Sequence, residues 1–552
     1  MKKILFLLLA LLLLKSTYAQ EIFKNSEIHG SFQMDAQYYV ADSAIGADNV
    51  PEKMGVNAFG NVLYTLNNFT AGVRFECFMP PLQGFDSRMK GIGFSYRFMN
   101  YKIHNLDVTL GNFYEQFGNG LVLRTYEDWT LGYDNSIDGL RLKYTLGKGI
   151  YLKGLIGKQR KYWEKSNGNL RAADIEVSFN DLISKFSESK TRLTIGGSFV
   201  SKFQEDDPTF TYKLPENVAA FAGRLNISRS GFNLNGEYAY KINDPSEYNN
   251  NIYRPGQALF LATSYSRKGL SIMVSAKRID NMAFKTDRKE RGAVMDINFL
   301  PPLTRQHSYN LSAMYPYATQ PNGEFGFQGQ LIYKIKKGSK IGGKYGTEIS
   351  INYSRVHNID KTALNDSPVI GTEGTLGYNS NFFKIGKELY FSDLSVDVSR
   401  KFNKHFKAIL SYVFIKYNIL VIRLEQTSKG ENMVNAHIGI ADFSYKFNDI
   451  HSLRMEIQHL YSKNDYGSWA MVLLEYSIAP KWFISVSDQY NYGNDDSNNR
   501  QHYYNISAGY IHKTNRISLS YGRQRSGIVC TGGVCRQVPA SNGLILSITS
   551  SF

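Results

Sequence analysis

Two cysteines five residues apart, Cys530 and Cys535 in CTGGVC, are the clearest chemical pair in this chain. That spacing closes a small loop as a disulfide in an oxidising compartment, and without a neighbouring histidine it makes a poor metal site. Cys77 is left over and falls on the apolar face of its segment, where it serves as a small hydrophobe. The ten histidines are scattered, most at turn positions such as His104, His405, His451 and His512. No nucleophile, base and orienting group share one face, so no catalytic residue is expected. The glycine-rich pieces GNG (118–120) and GGKYG (342–346) lack the strand-to-helix setting of a phosphate loop. The acidic groups Glu205-Asp206-Asp207 and Asn494-Asp495-Asp496 fit no calcium-loop spacing. The reading is therefore of a non-enzymatic chain with no cofactor and no resident metal. What remains is a set of charges inside alternating segments: Asp35, Arg74, Glu76, Glu237, Glu348, Arg454 and Glu456. Arg124, Glu127, Asp128 and Asp134 share one long connection and are the candidates for an inward-folded, constricting loop. Such charges either pair across strands and stiffen a wall, or set the sign of the solute that a lumen admits.

The elements that must carry these charges are strands. In HGSFQMDAQYYVAD, Phe32, Met34, Ala36, Tyr38 and Val40 share one face, and Gln33, Asp35 and Gln37 the other. A tight hairpin follows at Asn67-Asn68, with Phe69, Ala71, Val73 and Phe75 opposed to Thr70, Arg74 and Glu76. The same period of two recurs in roughly 26 segments (range roughly 22–28) of about ten residues, the length of a tilted membrane-crossing strand. Short turns such as 146–149, 228–231, 266–269, 402–405 and 512–515 alternate with longer segments such as 204–216, 243–256, 358–384, 418–433 and 493–501. A ring of that size exceeds what side chains can fill, so the apolar face must point to lipid and the polar face to a lumen. The fold expected is all-β, a transmembrane antiparallel up-and-down β-barrel with short periplasmic turns and long extracellular loops. In the last strand Leu544, Leu546 and Ile548 would face lipid and Phe552 would sit at the periplasmic end, while the two cysteines would stiffen the last outward loop.

The first residues, MKKILFLLLALLLLKSTYAQ, read as a cleaved export signal, 1–19, leaving a single barrel domain from 20 to 552. Beyond it no stretch approaches the roughly 18 apolar residues of a spanning helix. The net charge is +16, and without Lys2, Lys3 and Lys15 of the signal it is 61 − 48 = +13. The excess lies in the short turns: Lys148, Arg229, Arg267, Lys268, Lys336, Lys337, Lys340, Lys344, Lys401, Lys404, Lys481, Lys513 and Arg516. Cations there suit the phosphates of outer-membrane lipid; a periplasmic or lipoprotein partner is the alternative. Nucleic acid is excluded as a partner, because neither a basic cleft with stacking aromatics nor the compartment fits.

Four stretches carry a resemblance: GNFYEQFGNGLVLRTYEDW (111–129), LTRQHSYNLSAMYPYATQPNGEFG (303–326), RMEIQHLYSKNDYGSWAMVLLEY (454–476) and GGVCRQVPASNG (532–543). With them the chain resembles a family of large Bacteroidota outer-membrane barrels of unassigned activity. The resemblance implies a diderm outer membrane, and the C-terminal strand resembles the signal read by the barrel-assembly machinery. It implies no catalytic role. Two functions compete: a channel or porin-like transporter for a solute, and a barrel subunit of an export or surface-assembly complex whose lumen is filled by loops or a partner protein.

Overall fold

The alternating segments pair in sequence order into one antiparallel ring. The computed structural model describes residues 26–552 apart from 291, 366–368, 426–429 and 532–533, so the export signal lies outside the described residues. The main sheet has 25 members, of which Glu164–Lys165 is a two-residue spur on Ile150–Lys161; the other 24 are the barrel strands. Closure comes from Ser26–Tyr39, which pairs with Met54–Leu66 on one side and with Ser541–Ser551 on the other. Beyond the last strand, Phe552 and Gly30 exchange both backbone hydrogen bonds, each at 3.0 Å. The Phe552 ring lies over Gly30, where a Cβ would stand 2.2 Å from it, so glycine is what lets the terminal aromatic fold back on the first strand.

The count falls inside the expected range but below the central figure of about 26. Residues 281–323, long enough at the average spacing to be counted as two crossings, form no wall strand and instead fold inside the ring. The connections sort by end as expected. Turns such as 67–68, 104–105, 230–231, 268–269, 402–405 and 513–514 lie at one end, where 179–190 and 336–346 are the longer exceptions. All thirteen basic residues named for the short turns are exposed.

The outer face is that of a membrane barrel. Val274, Leu410, Val472, Val486, Ile506 and Leu519 are exposed along its middle. Tyr101, Tyr144, Tyr265, Tyr333, Tyr445 and Trp482 form an exposed aromatic belt near the short turns, and Tyr38, Tyr240, Tyr461 and Tyr492 stand near the other rim. The lumen face departs from the expected uniform polarity. Val218, Ala220 and Ala222 share it with Arg224, and all four are buried. The reason is that this wall does not face water: two apolar clusters lie inside the ring, each built from wall residues and from chain that has turned inward.

Candidate functional site: a lumen filled by inward loops

Segment 114–136 leaves the strand Leu106–Phe113 and turns into the ring. Its tip needs glycine, because Gly118 has φ +51° and its missing Cβ would meet the Glu237 carboxylate at 2.3 Å. Glu237, on the wall, accepts from the Asn119 backbone N–H at 2.6 Å and from its side-chain amide at 2.8 Å. Phe117, Leu121, Val122 and Leu123 are buried and cluster with Val200, Val218, Ala220 and Ala239 of the wall. Met282, Phe284 and Ile297 of segment 281–323 complete the same cluster. The two segments are also hydrogen-bonded to each other: Arg124 N–H to the Ile297 carbonyl and Phe299 N–H to the Gly120 carbonyl, both at 2.9 Å. The Asn298 amide bridges the Leu121 carbonyl (3.2 Å) and the Met282 carbonyl (2.9 Å). They act as one body.

Three buried wall lysines hold that body in place. Lys202 donates to the Lys285 carbonyl (2.7 Å), Lys241 to the Ala283 carbonyl (2.7 Å) and Lys277 to the Pro301 carbonyl (2.6 Å). Lys202 is neutralised by Asp244 at 2.6 Å and Lys277 by Glu324 at 2.5 Å, so no ammonium in this pair of sites is buried without a counter-charge. Further along, wall carboxylates take over. Asp393 holds His307 at 2.6 Å, Asp397 holds Arg305, and Asp442 accepts from the Tyr309 hydroxyl at 3.1 Å. The Gln458 side chain accepts the Leu311 N–H at 2.9 Å. Within the inward body Asp296 pairs with Lys285, yet burial raises its carboxyl to about 6.

The sequence-derived charges meet at the mouth. Arg74, almost fully buried, reaches Glu76 (3.3 Å), Asp134 (3.2 Å) and Glu127. Arg160 pairs with Glu76 at 2.5 Å and Asp134 at 2.7 Å. Asp134 and Glu127 belong to the inward loop, so this network ties loop to wall. Beside it Trp129 stacks on Phe59 with ring centres 4.5 Å apart, and a cavity of about 410 Å³ opens between Phe78, Phe85, Tyr162 and Trp163. Guanidinium and carboxylate groups here neutralise one another, an arrangement that locks geometry.

The other named residues are dispersed. Arg124 lies 4.0 Å over the Phe299 ring and 4.8 Å over Tyr126, and so helps to join the two segments. Asp128 accepts from the Thr130 N–H at 2.9 Å in a local turn. Asp35 accepts from the Ser547 hydroxyl at 2.6 Å within the wall. Arg454 pairs with Asp442 at 2.9 Å and with Glu456. Glu348 stays exposed at the short-turn end, with no ion pair among the described residues, and constricts nothing. Cys530 and Cys535 are disulfide-bonded across a hairpin, Gly527–Thr531 with Val534–Val538. That hairpin corrects the expectation of a fully outward loop: it leans over the mouth, with Arg536 donating to the Gln83 carbonyl at 3.3 Å and lying 4.0 Å over Phe85. Two cations of the basic stretch that follows Phe284 are likewise turned in, because Lys285 and Arg288 are buried against Asp296 and Asp244.

Sequence reasoning missed segment 281–323 and the three lysines. A signal for the segment was present: over forty residues containing Met282, Phe284, Ile297 and Leu311 show no period of two between clear strands. A further cavity, about 770 Å³, lies between residues 302–317 and the final strands, beside Gln489, Asn505 and Ile545.

Among solved structures the chain is similar to the siderophore receptor PirA from Pseudomonas aeruginosa, at 10% identity and TM-score 0.39, covering 95% of this chain and 80% of that one. It is similar to the E. coli P pilus tip assembly intermediate PapC-PapD-PapK-PapG, at 10% identity and TM-score 0.47, covering 95% and 60%. The copper transporter OprC gives 9% identity and TM-score 0.39, covering 96% and 80%. At these scores the likenesses carry no argument; the fold rests on the strand pairing. No curated protein matches. A family model described as a family of unknown function, DUF6029, matches residues 1–552.

Proposed function

The chain belongs to the DUF6029 family, and we propose that it is an outer-membrane channel, a porin-like transporter in which the barrel's own loops narrow the lumen. The observation that carries this reading is the uneven filling of the ring. Both large apolar clusters draw their buried members from the wall only as far as Met471. The last four strands, Trp482–Tyr490, His502–His512, Asn515–Gln524 and Ser541–Ser551, contribute no fully buried member, and only the half-buried Tyr503 packs against the second cluster. Their lumen face is mainly polar instead, with Tyr503 and Ile545 as its apolar members in the 770 Å³ cavity: Ser485 and Ser507 share a hydrogen bond at 2.7 Å, and Ser487, Gln489 and Asn505 line that cavity. A wall left wet beside a filled interior is what a restricted passage requires.

In this reading the long-loop end faces outward and the basic short-turn end lies in the periplasm of a diderm, Bacteroidota-type bacterium, against anionic headgroups. The protein is non-enzymatic, and the barrel-assembly machinery engages its final strand. The thirteen exposed cations favour one alternative, a subunit that docks an acidic periplasmic or lipoprotein partner. Solute flux decides. Pure, folded protein in liposomes should admit small solutes and exclude oligosaccharides. Absence of any flux would overturn the channel and leave the complex subunit.

A further inference from the structure

The 770 Å³ cavity has a charge imbalance that the mouth cavity lacks. Arg305, His307, Arg523 and Arg525 line it, and no aspartate or glutamate does. The mouth cavity, by contrast, is lined by Glu76, Asp86 and Asp134 as well as by arginines. Two of the three arginines are paired, and His307 is bonded too. Arg305 is paired with Asp397, His307 with Asp393 at 2.6 Å, and Arg523 with Asp42 at 2.6 Å, all carboxylates that do not reach the cavity surface.

Arg525 is different. Among the described residues it has no ion pair, and its hydrogen bond is a long one, from one terminal nitrogen to the Ser526 carbonyl at 3.3 Å. The groups it senses are the hydroxyls of Tyr315, Tyr466 and Tyr503 and the Arg423 guanidinium, which is itself satisfied by Asp465 at 2.6 Å. Burial pushes the Arg525 guanidinium down from its ordinary range. A guanidinium offers five donors in a planar fork that matches carboxylate and phosphate oxygens, and this one, half-buried at the cavity wall, spends a single donor on the Ser526 carbonyl. Within the same cavity Asn505, Asn310 and Ser487 supply neutral donors that suit the remaining oxygens.

We propose that this cavity is a binding site for small anionic solutes bearing a carboxylate or phosphate group, with Arg525 as the residue that grips them. Binding itself stands on the cavity; its place on a transport route rests on the channel reading above. The test is calorimetric titration of inorganic phosphate and of succinate into the detergent-folded full-length protein. Wild type should bind at least one of them, and whichever binds more tightly identifies the preferred head group. Arg525→Gln should weaken binding about tenfold, as expected for loss of a charge-assisted fork. Arg525→Lys should retain part of the affinity, and Lys404→Gln, at an exposed turn, should leave it unchanged. Folding of each variant is checked by its shift on unheated gels, and Arg525→Lys keeps the test valid if the glutamine variant fails to assemble. No binding of either anion by folded wild type, or equal binding by folded Arg525→Gln, would overturn the site. Solute flux separates the two ideas: a protein that binds phosphate but passes nothing keeps the site and loses the channel, and one that conducts without binding either anion does the reverse.

Discussion

A lysine ammonium inside a barrel is tolerable only when hydrogen bonds replace lost water, and Lys202, Lys241 and Lys277 each find one at a carbonyl of the inward segment. Replacing Lys202 by methionine would sever the anchor and leave Asp244 with Arg288 alone, at a cost of up to about 3–5 kcal/mol, the range for breaking buried pairs. Limited proteolysis should then cut within 281–300 while the ring stays intact; unchanged protection would deny the lysine its anchoring role. Asp296 gives a prediction of opposite feel. Folding raises its carboxyl to about 6, so the ionised form costs stability near neutrality, and that cost is relieved as the pH falls through 6 towards the ordinary carboxylate range. Protease protection of the segment should therefore rise modestly on mild acidification, and Asp296→Asn should flatten the response. A segment that loosens on acidification would contradict the assignment. Arg74 and Glu76 were legible because period-two alternation separates a polar face from Val73 and Phe75. Lys202 and Lys241 were not, because a lysine at the end of a strand reads as surface.

At the scale of elements, the inward segments convert a wide ring into a filled one. Each contributes buried apolar side chains to a common cluster, and each closes hydrogen bonds on the other, so removing one should release both. Replacing 282–300 by a short flexible linker should raise single-channel conductance severalfold in planar bilayers, since pore area and not wall charge sets the resistance of a wide pore. Equal conductance would mean that the segment does not obstruct the passage. The disulfide hairpin is a smaller case. Cys530→Ser with Cys535→Ser should leave barrel melting unchanged and increase cleavage within 525–540, because the bond constrains only that loop. Strands and turns were readable in the sequence, since lipid on one side forces alternation and short turns need Asn, Gly or Lys at fixed places. Residues 281–323 were not placed, because an inward loop packs irregularly and its basic run 285–292 has the composition of an outer loop. The alternation was also blurred where loops dock: Val218 to Ala222 are apolar on both faces because both are dry.

For the molecule as a whole, closure and asymmetry are the organising facts. First and last strands pair through nine registered positions, and Phe552 adds two more backbone bonds to Gly30. Deleting Phe552, or introducing Gly30→Leu against its ring, should lower the yield of heat-modifiable, assembled barrel; an undiminished yield would show that closure needs neither residue. The even strand count brings both described ends to the short-turn side, where the cations gather. The central claim is that a single chain both builds the ring and fills it. An electron-microscopy map of the protein extracted from its native membrane tests this most directly. It should show 24 strands, with 117–123 and 282–297 inside the ring, continuous with the wall and pegged at Lys202, Lys241 and Lys277. A vacant lumen, or one occupied by another polypeptide with these two segments displaced outside it, would contradict the account.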